Sequence, residues 1–313
     1  MKSKEEIALL LPDKAKELFF DITEERVLGA SRHINMIGSM FILIGEDYSA
    51  SGKSVIDIEN AVAQLAEYML QTRGKASAAI TNAIEALLNR IEGFIGDSSA
   101  YSDFIKEKVI EYQENSKKAI DTIIEYSENQ LSEYENILLF DYSSTVARYI
   151  ECGIIPGQKN LYIPESRTIC GGREFARAAV EKGIKVYFFP DAAILYFLKR
   201  CQAAVIGAET FYPDGTAFNT TGSDVLALCC SCLHIPLYVL TPLNKVDKRA
   251  LRGEKKKEVI KNLGHLYKNL FNADIVAGMD FNCPELLPIE PEHIYAYITE
   301  AGVVRPGMLY SLI

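Results

Sequence analysis

The second half of the chain repeats one pattern: a short apolar run, a polar residue soon after it, and then a segment with helical spacing. Five such runs occupy residues 137–140, 161–163, 186–189, 203–206 and 237–240. Short apolar strands that alternate with helices are typical of a parallel sheet covered on both faces, because such strands need not alternate in polarity. The pattern therefore predicts an α/β fold, with a Rossmann-like domain over residues 131–313.

The first half has no such runs and predicts an all-helical domain over residues 1–130. Apolar residues spaced by threes and fours predict helices over residues 3–20, 55–70, 76–95 and 102–135. Pro12 should divide the first of these into two short helices. Two glycines predict a loop over residues 45–52.

Polar residues mark the end of each predicted strand. In order they are Asp141, Ser143 and Ser144; Arg167, Gly171, Gly172 and Arg173; Asp191; Glu209; and then Asn219, Thr220 and Thr221 before the next helix. Ligands of open parallel sheets bind beyond the carboxyl ends of the strands, so these residues should share one rim. Carboxylates suit sugar hydroxyls, whereas arginines and helix starts suit phosphate. The alternative is that the same residues serve only as helix caps and turn formers.

The charge and hydrophobicity of the chain limit the classes of partner that it can bind. The net charge is −9, and lysines and arginines are interspersed with acidic residues, which argues against direct nucleic-acid binding. No apolar stretch approaches eighteen residues, so no membrane span is predicted. Seven cysteines, most in apolar surroundings, predict reduced thiols and a cytoplasmic location.

No cofactor or metal is predicted. The segment Gly52-Lys53-Ser54 lacks the glycine and the preceding strand of a P-loop. Cysteines 229, 230 and 232 fall in one apolar helix, where consecutive side chains point apart, so buried free thiols are expected rather than a metal site. Cys170 lies near Arg167 and Arg173 and could be an activated thiol or a structural one.

The strand-end segments also resemble a known family. In the second half, the matching segments begin at Asp141, Glu165, Asp191, Val205, Asn219 and Ile298. In the helical half, the matching turns begin at Leu28 and Thr72. The family joins the alpha, beta and delta regulatory subunits of eukaryotic translation initiation factor two B to methylthioribose phosphate isomerase and ribose bisphosphate isomerase. The resemblance implies a dimer built through the C-terminal domain and adds Arg73 to the expected ligand-binding residues.

This chain departs from the isomerases at four positions. The isomerases, which this chain resembles, carry Cys at the position of Asp141 and Asp at the position of Glu209. In the isomerases, that Cys and Asp are thought to move the protons between the sugar carbons. The isomerases also carry cations where this chain has Leu28 and Thr220. The regulatory subunits also lack the cysteine, and the alpha type has Glu at the position of Glu209, so the chain is nearer to the non-catalytic branch.

Two functions follow as hypotheses. The first is an initiation factor two B-like protein that binds a phosphorylated sugar or nucleotide at the carboxyl ends of the sheet, in a regulatory or divergent role. The second is an aldose–ketose sugar-phosphate isomerase that uses Asp141 and Glu209 as an acid/base pair. We expect a homodimer or higher homo-oligomer; a translation-factor partner would follow from the resemblance alone.

Overall fold

The computed structural model describes residues 2–27, 29–267 and 270–313. This described chain divides into two compact units, Met1–Lys118 and Ala119–Ile313. A helical N-terminal region is followed by a largely parallel sheet, which confirms the predicted α/β fold class. The predicted domain bounds, residues 1–130 and 131–313, stay a prediction.

The N-terminal unit is built from helices that share one apolar core. In the described residues they are α1 (Lys4–Leu10), α2 (Asp13–Thr23), α3 (Ala30–Ala50), α4 (Val55–Met69), α5 (Ala78–Ile91) and α6 (Ser98–Gln130), whose last part belongs to the second unit. A π-helical turn, Leu70–Gly74, follows α4 directly. Phe19, Phe41 and Tyr101 are among the fully buried members of the core.

Two helix starts in this unit carry reciprocal capping boxes. The Ser3 hydroxyl accepts the Glu6 amide at 3.1 Å, and the Glu6 carboxylate accepts the Ser3 amide at 2.7 Å. Ser54 and Asp57 repeat the arrangement at 3.3 and 2.9 Å. These bonds satisfy amides that a helix start leaves without partners. Pro12 separates α1 from α2 as predicted, since proline cannot donate the helical bond.

The loop predicted over residues 45–52 is wrong for its first part, because α3 continues to Ala50. Gly45 lies inside this helix, where a β-carbon would come within 3.1 Å of the Ser102 hydroxyl on α6. The glycine therefore permits two helices to approach each other and does not end one. Only Gly52, with φ +71°, belongs to the turn.

The second unit contains one large, almost wholly parallel sheet and two small antiparallel ones. Its strands are β1 (Asn136–Leu139), β2 (Asn160–Pro164), β3 (Lys185–Phe189), β4 (Ala203–Ile206), β5 (Thr210–Phe211), β6 (Ala217–Thr220), β7 (Leu237–Leu240), β8 (Ile260–Asn262), β9 (Asn282–Pro284), β10 (Leu286–Ile289), β11 (Ala296–Thr299) and β12 (Gly302–Val304). Within the described residues, the large sheet has the order β12-β11-β7-β4-β1-β2-β3, and β12 alone is antiparallel to its neighbour. The smaller sheets are β10-β6-β5 and β8-β9.

Helices cover both faces of the large sheet. They are α7 (Ser144–Arg148), α8 (Gly172–Glu181), α9 (Ile194–Leu198) and α10 (Ser223–Leu233), and a short helix, α11 (Ala273–Ala277), follows later in the chain. Ile137 of β1 packs in one core with Phe175 of α8, whereas its neighbour Leu138 packs in another with Leu226 of α10. Both faces are thus buried, which explains the uninterrupted apolar runs. None of the helices in the described ranges is both long and apolar enough to cross a membrane.

The five predicted strands are β1, β2, β3, β4 and β7, and all pair in parallel. The pattern missed β11 and β12, because no helix separates them and the chain turns back directly at Gly302. It also missed the hairpin of β5 and β6, since a two-residue strand carries no periodicity.

Candidate functional site

The strand order reverses direction at β1. The chain runs from β1 outward through β2 to β3, and then returns to place β4 on the other side of β1. The carboxyl ends of β1 and β4 therefore flank a topological switch point, where open α/β sheets bind ligands. Asp141 follows β1, and Glu209 follows β4.

Asp141 is a buried carboxyl group at this point, with a side chain that is 2% exposed. Its backbone is left-handed, with φ +62°, and its Oδ1 accepts the Ser166 hydroxyl at 3.0 Å. Burial raises the pKa of Asp141; hydrogen bonds from Thr220, the Tyr142 amide and Ser166 oppose this rise, and the nearby Asp191 charge adds to it. The site thus holds a carboxyl group that keeps its proton to a higher pH than an ordinary aspartate.

Asp191 supports the turn after β2. Its two carboxylate oxygens accept the backbone amides of Ser166 and Arg167 at 2.8 and 2.7 Å. Because Ser166 in turn bonds Asp141, Asp191 fixes the partner of the buried carboxyl group. Its described bonds are made to the chain itself, and a direct role with a ligand stays a prediction.

Glycines allow the segments of the rim to approach closely. A β-carbon on Gly171 would lie 2.6 Å from Asp141 Oδ1, and one on Gly172 would lie 2.0 Å from the Pro164 carbonyl oxygen. A β-carbon on Gly207, after β4, would lie 2.3 Å from the Ser143 hydroxyl. The turns after β1, β2 and β4 are therefore brought together at one edge, as the strand-end pattern predicted.

The other polar residues of the turns differ in their surroundings. Ser143 caps α7 by accepting the Val146 amide at 3.4 Å, and Ser144 is exposed. Arg167 lies 3.8 Å from Glu165 and donates to the Leu266 carbonyl at 3.5 Å. Arg173 is exposed at the start of α8. Both serines and both arginines thus lie on the predicted rim.

Asn219 and Thr220 reach the site from β6 rather than from a helix start. Both are buried, at 6% exposure each. Thr221 follows them and bonds the Pro284 carbonyl through its hydroxyl and the Glu285 carbonyl, at 3.2 Å, through its amide. The next helix, α10, begins two residues later at Ser223, because β10 pairs with residues 217–220 and holds them extended.

Glu209 is half-buried and has two lysines near it that sequence reasoning missed. Lys245 donates to the Ala208 carbonyl at 2.8 Å; burial lowers the pKa of Lys245, and Glu209 opposes this. Burial also lowers the pKa of Lys256, again opposed chiefly by Glu209. Lys245 follows β7 and could have been found by the strand-end rule, whereas no local signal marks Lys256.

Two predicted positions belong to the helical unit. Arg73 donates to the Glu25 carboxylate at 2.9 Å and to the Ile22 carbonyl at 2.5 Å, so its described partners are in that unit. Leu28, one of the departures from the isomerases, lies outside the described residues.

The cysteines give no metal site in the described ranges, where no three His, Cys, Asp or Glu side chains are grouped to hold an ion. Cys230 is buried as predicted, but Cys232 is exposed, because it lies on the outer side of α10. The Cys170 thiol is 3.8 Å from the Arg167 carbonyl, within the turn after β2.

Asp141→Asn should make the protein more stable at neutral pH. The raised pKa means that the folded state holds a proton which the unfolded state releases above about pH 4. The free energy of unfolding of the wild type, relative to that of the variant, should therefore fall as pH rises from about 4 to the raised pKa of folded Asp141. Above that pKa the difference between the two proteins should stay constant. Urea unfolding at a series of pH values measures the difference, for which we expect about 1 kcal/mol. A difference that does not change with pH would contradict the raised pKa.

The chain matches the model of the Initiation factor 2 subunit family over residues 30–306. It is 23% identical over 299 residues to a putative translation initiation factor eIF-2B subunit 2-like protein of Pyrococcus horikoshii. The alignment covers 95% of this chain and 98% of that protein. It is 24% identical over 219 residues to ribose 1,5-bisphosphate isomerase of Methanocaldococcus jannaschii, which covers 66% of this chain and 68% of the isomerase.

A solved structure supports the same grouping at the level of the fold. The 5-methylthioribose 1-phosphate isomerase of Pyrococcus horikoshii aligns with a TM-score of 0.77 at 17% identity, over 98% of this chain and 92% of that one. The family resemblance predicted from the strand-end segments is confirmed by these matches. The chain belongs to the initiation factor 2 subunit family, which includes sugar-phosphate isomerases.

Proposed function

We propose that this protein binds a phosphorylated sugar or nucleotide at the carboxyl ends of β1, β2 and β4, in a regulatory or divergent role within its family. The observation that carries the proposal is the buried Asp141 at the switch point, where Ser166 and Thr220 hydroxyls bond its carboxyl group. A carboxyl group held in this way is suited to bind a sugar hydroxyl. The Lys245 ammonium, which donates to the Ala208 carbonyl next to Glu209, supplies positive charge for a phosphate.

Apart from Arg73, the proposed ligand-binding residues lie in or after strands of the second unit. They are Arg73, Ser143, Ser144, Arg167, Gly171, Gly172, Arg173, Asp191, Asn219, Thr220 and Thr221. Arg73 is proposed on the family resemblance alone. The remaining residues are proposed from their position after β1, β2 and β3, or in and after β6.

A phosphorylated ligand should stabilise the protein against heat. At about 100 times its Kd, a ligand that binds only the folded state adds about 2.7 kcal/mol to the free energy of unfolding. For a chain of this size, we expect the Tm to rise by about 5 °C or more. Differential scanning fluorimetry against ribose phosphates, methylthioribose phosphate and nucleotides measures the shift, with unphosphorylated ribose as the control. If no phosphorylated compound raises the Tm, the rim of strand-end residues is not a phosphate site.

The second candidate function is aldose–ketose isomerisation of a sugar phosphate. It is favoured by the raised pKa of Asp141, which burial produces and which suits a general acid that protonates the carbonyl oxygen. Glu209, near two lysines, would take the proton from the neighbouring carbon as the base. Deuterium exchange at that carbon, followed by NMR, reports turnover. Turnover that survives both Asp141→Asn and Glu209→Gln would remove these roles.

We also propose a homodimer or higher homo-oligomer built through the second unit, in the cytoplasm. Val225 and Leu228 on α10 are 51% and 50% exposed and, one helical turn apart, lie on one side of the helix. An apolar ridge of this kind is suited to self-association. A monomer in sedimentation velocity at micromolar concentration would overturn the proposal. A translation-factor partner would follow from the family resemblance and from the eIF-2B names of its relatives.

A further inference from the structure

The strand β8 has an open edge on the side that faces away from β9. In the described part of the chain, β8 and β9 form a two-stranded sheet, so no third strand lies along β8. At one end of the pair, the Val259 carbonyl accepts the Glu285 amide at 2.8 Å. At the other end, the Leu263 amide donates to the Phe281 carbonyl at 3.0 Å. The odd-numbered residues of this strand are therefore the ones that bond β9.

Ile260 and Asn262 are the outward positions of β8. They lie opposite Pro284 and Asn282, between the bonded positions, and residues at such positions direct their N–H and C=O groups away from the paired strand. Proline at position 284 fits this assignment, because it has no N–H to donate. Ile260 and Asn262 thus offer two backbone donors and two acceptors along the open edge, and an edge of this kind can accept a further strand.

Apolar side chains are exposed along the same edge. Val259 and Ile260 are both exposed, and because they are consecutive they project from opposite faces of the two-stranded sheet. Edges that are protected against pairing carry charged residues or proline. The charged residue of β8 is Lys261, and its ammonium is already bonded to the Glu285 carboxylate of the segment that follows β9. The side chains of β8 therefore do not close its edge to another strand.

Lysines precede this strand in the chain. Lys255 and Lys257 are exposed, and Glu258 is the acidic residue that separates them from β8. The net charge of the whole chain is −9, so this positive segment differs in sign from the protein as a whole. A partner with acidic side chains would therefore meet complementary charge beside the open edge.

We propose that the open edge of β8, with Lys255 and Lys257 beside it, is a docking site for an extended acidic segment of a partner protein. The segment adds to the sheet as a third strand: its backbone bonds Ile260 and Asn262, and its acidic side chains meet the lysines. Open backbone groups and exposed apolar side chains suit a peptide, whereas nucleic acid requires a broader basic face. The proposal does not rest on the ligand proposed for the strand-end residues.

Hydrogen exchange of backbone amides, followed by NMR, tests the site. The probe is a decapeptide of alternating valine and glutamate. In the free protein, the amides of Ile260 and Asn262 should exchange faster than the Leu263 amide, which is bonded to β9. At about 10 times its Kd, the peptide should slow exchange at Ile260 and Asn262 about tenfold, because exchange then requires its release. A decapeptide of alternating valine and lysine is the control and should give no such protection.

A proline variant tests the backbone contact by fluorescence anisotropy of the labelled acidic peptide. Ile260→Pro removes an N–H that faces outward and leaves the bonds to β9 in place, as proline in an edge strand does. It should weaken peptide binding by about tenfold or more. Ile260→Val is the matched control, because it keeps the N–H, and it should stay within about twofold of wild type. An acidic peptide N-methylated at every residue removes the same bonds from the partner and should also bind about tenfold more weakly.

A charge variant tests the lysines in the same assay. Lys257→Glu should weaken binding of the acidic peptide about threefold, as loss of an exposed ion pair does. Lys199→Glu makes the same change at another exposed lysine of the second unit and should leave binding unchanged.

Several results would overturn the docking site. One is exchange at Ile260 and Asn262 that the acidic peptide does not slow. Another is binding that survives both Ile260→Pro and N-methylation of the peptide. Equal binding of a ten-nucleotide oligouridylate would indicate a nucleic-acid site instead. If Ile260→Pro turns an oligomer into a monomer in sedimentation velocity, the edge is occupied by a second copy of this chain and the proposal fails.

Discussion

Gly172→Ala is expected to destabilise the second unit by more than about 3 kcal/mol, or to prevent its folding. A β-carbon at this position would lie 2.0 Å from the Pro164 carbonyl oxygen and 3.0 Å from its carbon. Both atoms belong to the backbone, so no side-chain rotation relieves the overlap. Pro164 is also paired in register with Phe189 of β3, so β2 cannot move away without breaking the sheet.

The helix that starts at Gly172 cannot easily move either. It places Phe175, which is fully buried, in the core on that face of the sheet. A shift of α8 would open that core and displace the turn that holds Ser166 against Asp141. Ligand binding should therefore be lost together with stability.

Urea unfolding followed by circular dichroism measures the effect of Gly172→Ala. Gly307→Ala is the matched control, because a β-carbon there meets nothing within 4 Å, and its stability should stay within about 0.5 kcal/mol of wild type. A Gly172→Ala protein as stable as the control would show that the turn after β2 is not as tightly packed as described.

Lys159→Met is expected to lower the free energy of unfolding by about 3 kcal/mol. The Lys159 side chain is buried, at 7% exposure. Its ammonium donates to the backbone carbonyls of Leu131, Ser132 and Tyr134 at 2.6, 3.2 and 2.8 Å. These carbonyls lie just beyond the end of α6, where a helix leaves carbonyl groups without partners and favours a cation. Methionine fills the space but removes the donor to all three carbonyls, of which Leu131 alone keeps a described partner, the Tyr134 amide at 3.2 Å.

The pH dependence gives a second check on Lys159. Burial lowers the pKa of Lys159 in the folded state, so over the alkaline range up to about pH 10.4 the unfolded state binds more protons. Wild-type stability should therefore gain on the variant as pH rises through that range. Lys117→Met, on the exposed side of α6, should change stability by less than about 0.5 kcal/mol. A loss of similar size in both variants would contradict the capping role.

Local patterns were sufficient to predict five parallel strands of the large sheet and the polar residues that follow them. The run over residues 137–140 is apolar throughout because both faces of β1 are buried, and Asp141 marks its end. The same reasoning located β2, β3, β4 and β7. The same reasoning did not predict that Asn219 and Thr220 lie in a strand. Their extended backbone depends on pairing with β10, which is distant in the sequence.

The charged groups near the site also divide into those that a local pattern can predict and those that only distant contacts bring there. Lys245 follows a predicted strand and was within reach of the strand-end rule, whereas no strand-end pattern marks Lys256, whose backbone amide donates to the Tyr212 hydroxyl. Lys159 likewise caps a helix that ends far earlier in the chain. No periodicity records such contacts, because they join segments whose spacing in the sequence is arbitrary.

By itself, the sequence determined the fold class and the family, since apolar runs, turns and strand-end residues are local features that any chain with this pattern must satisfy. The tertiary structure decided the chemistry available at the rim. Asp141 has a raised pKa because burial withdraws it from water, while its hydrogen-bond partners, Ser166 and Thr220, come from two other strand ends. Burial and partners exist only when separate segments meet, and this is why the position of Asp141 could be predicted but its protonation could not.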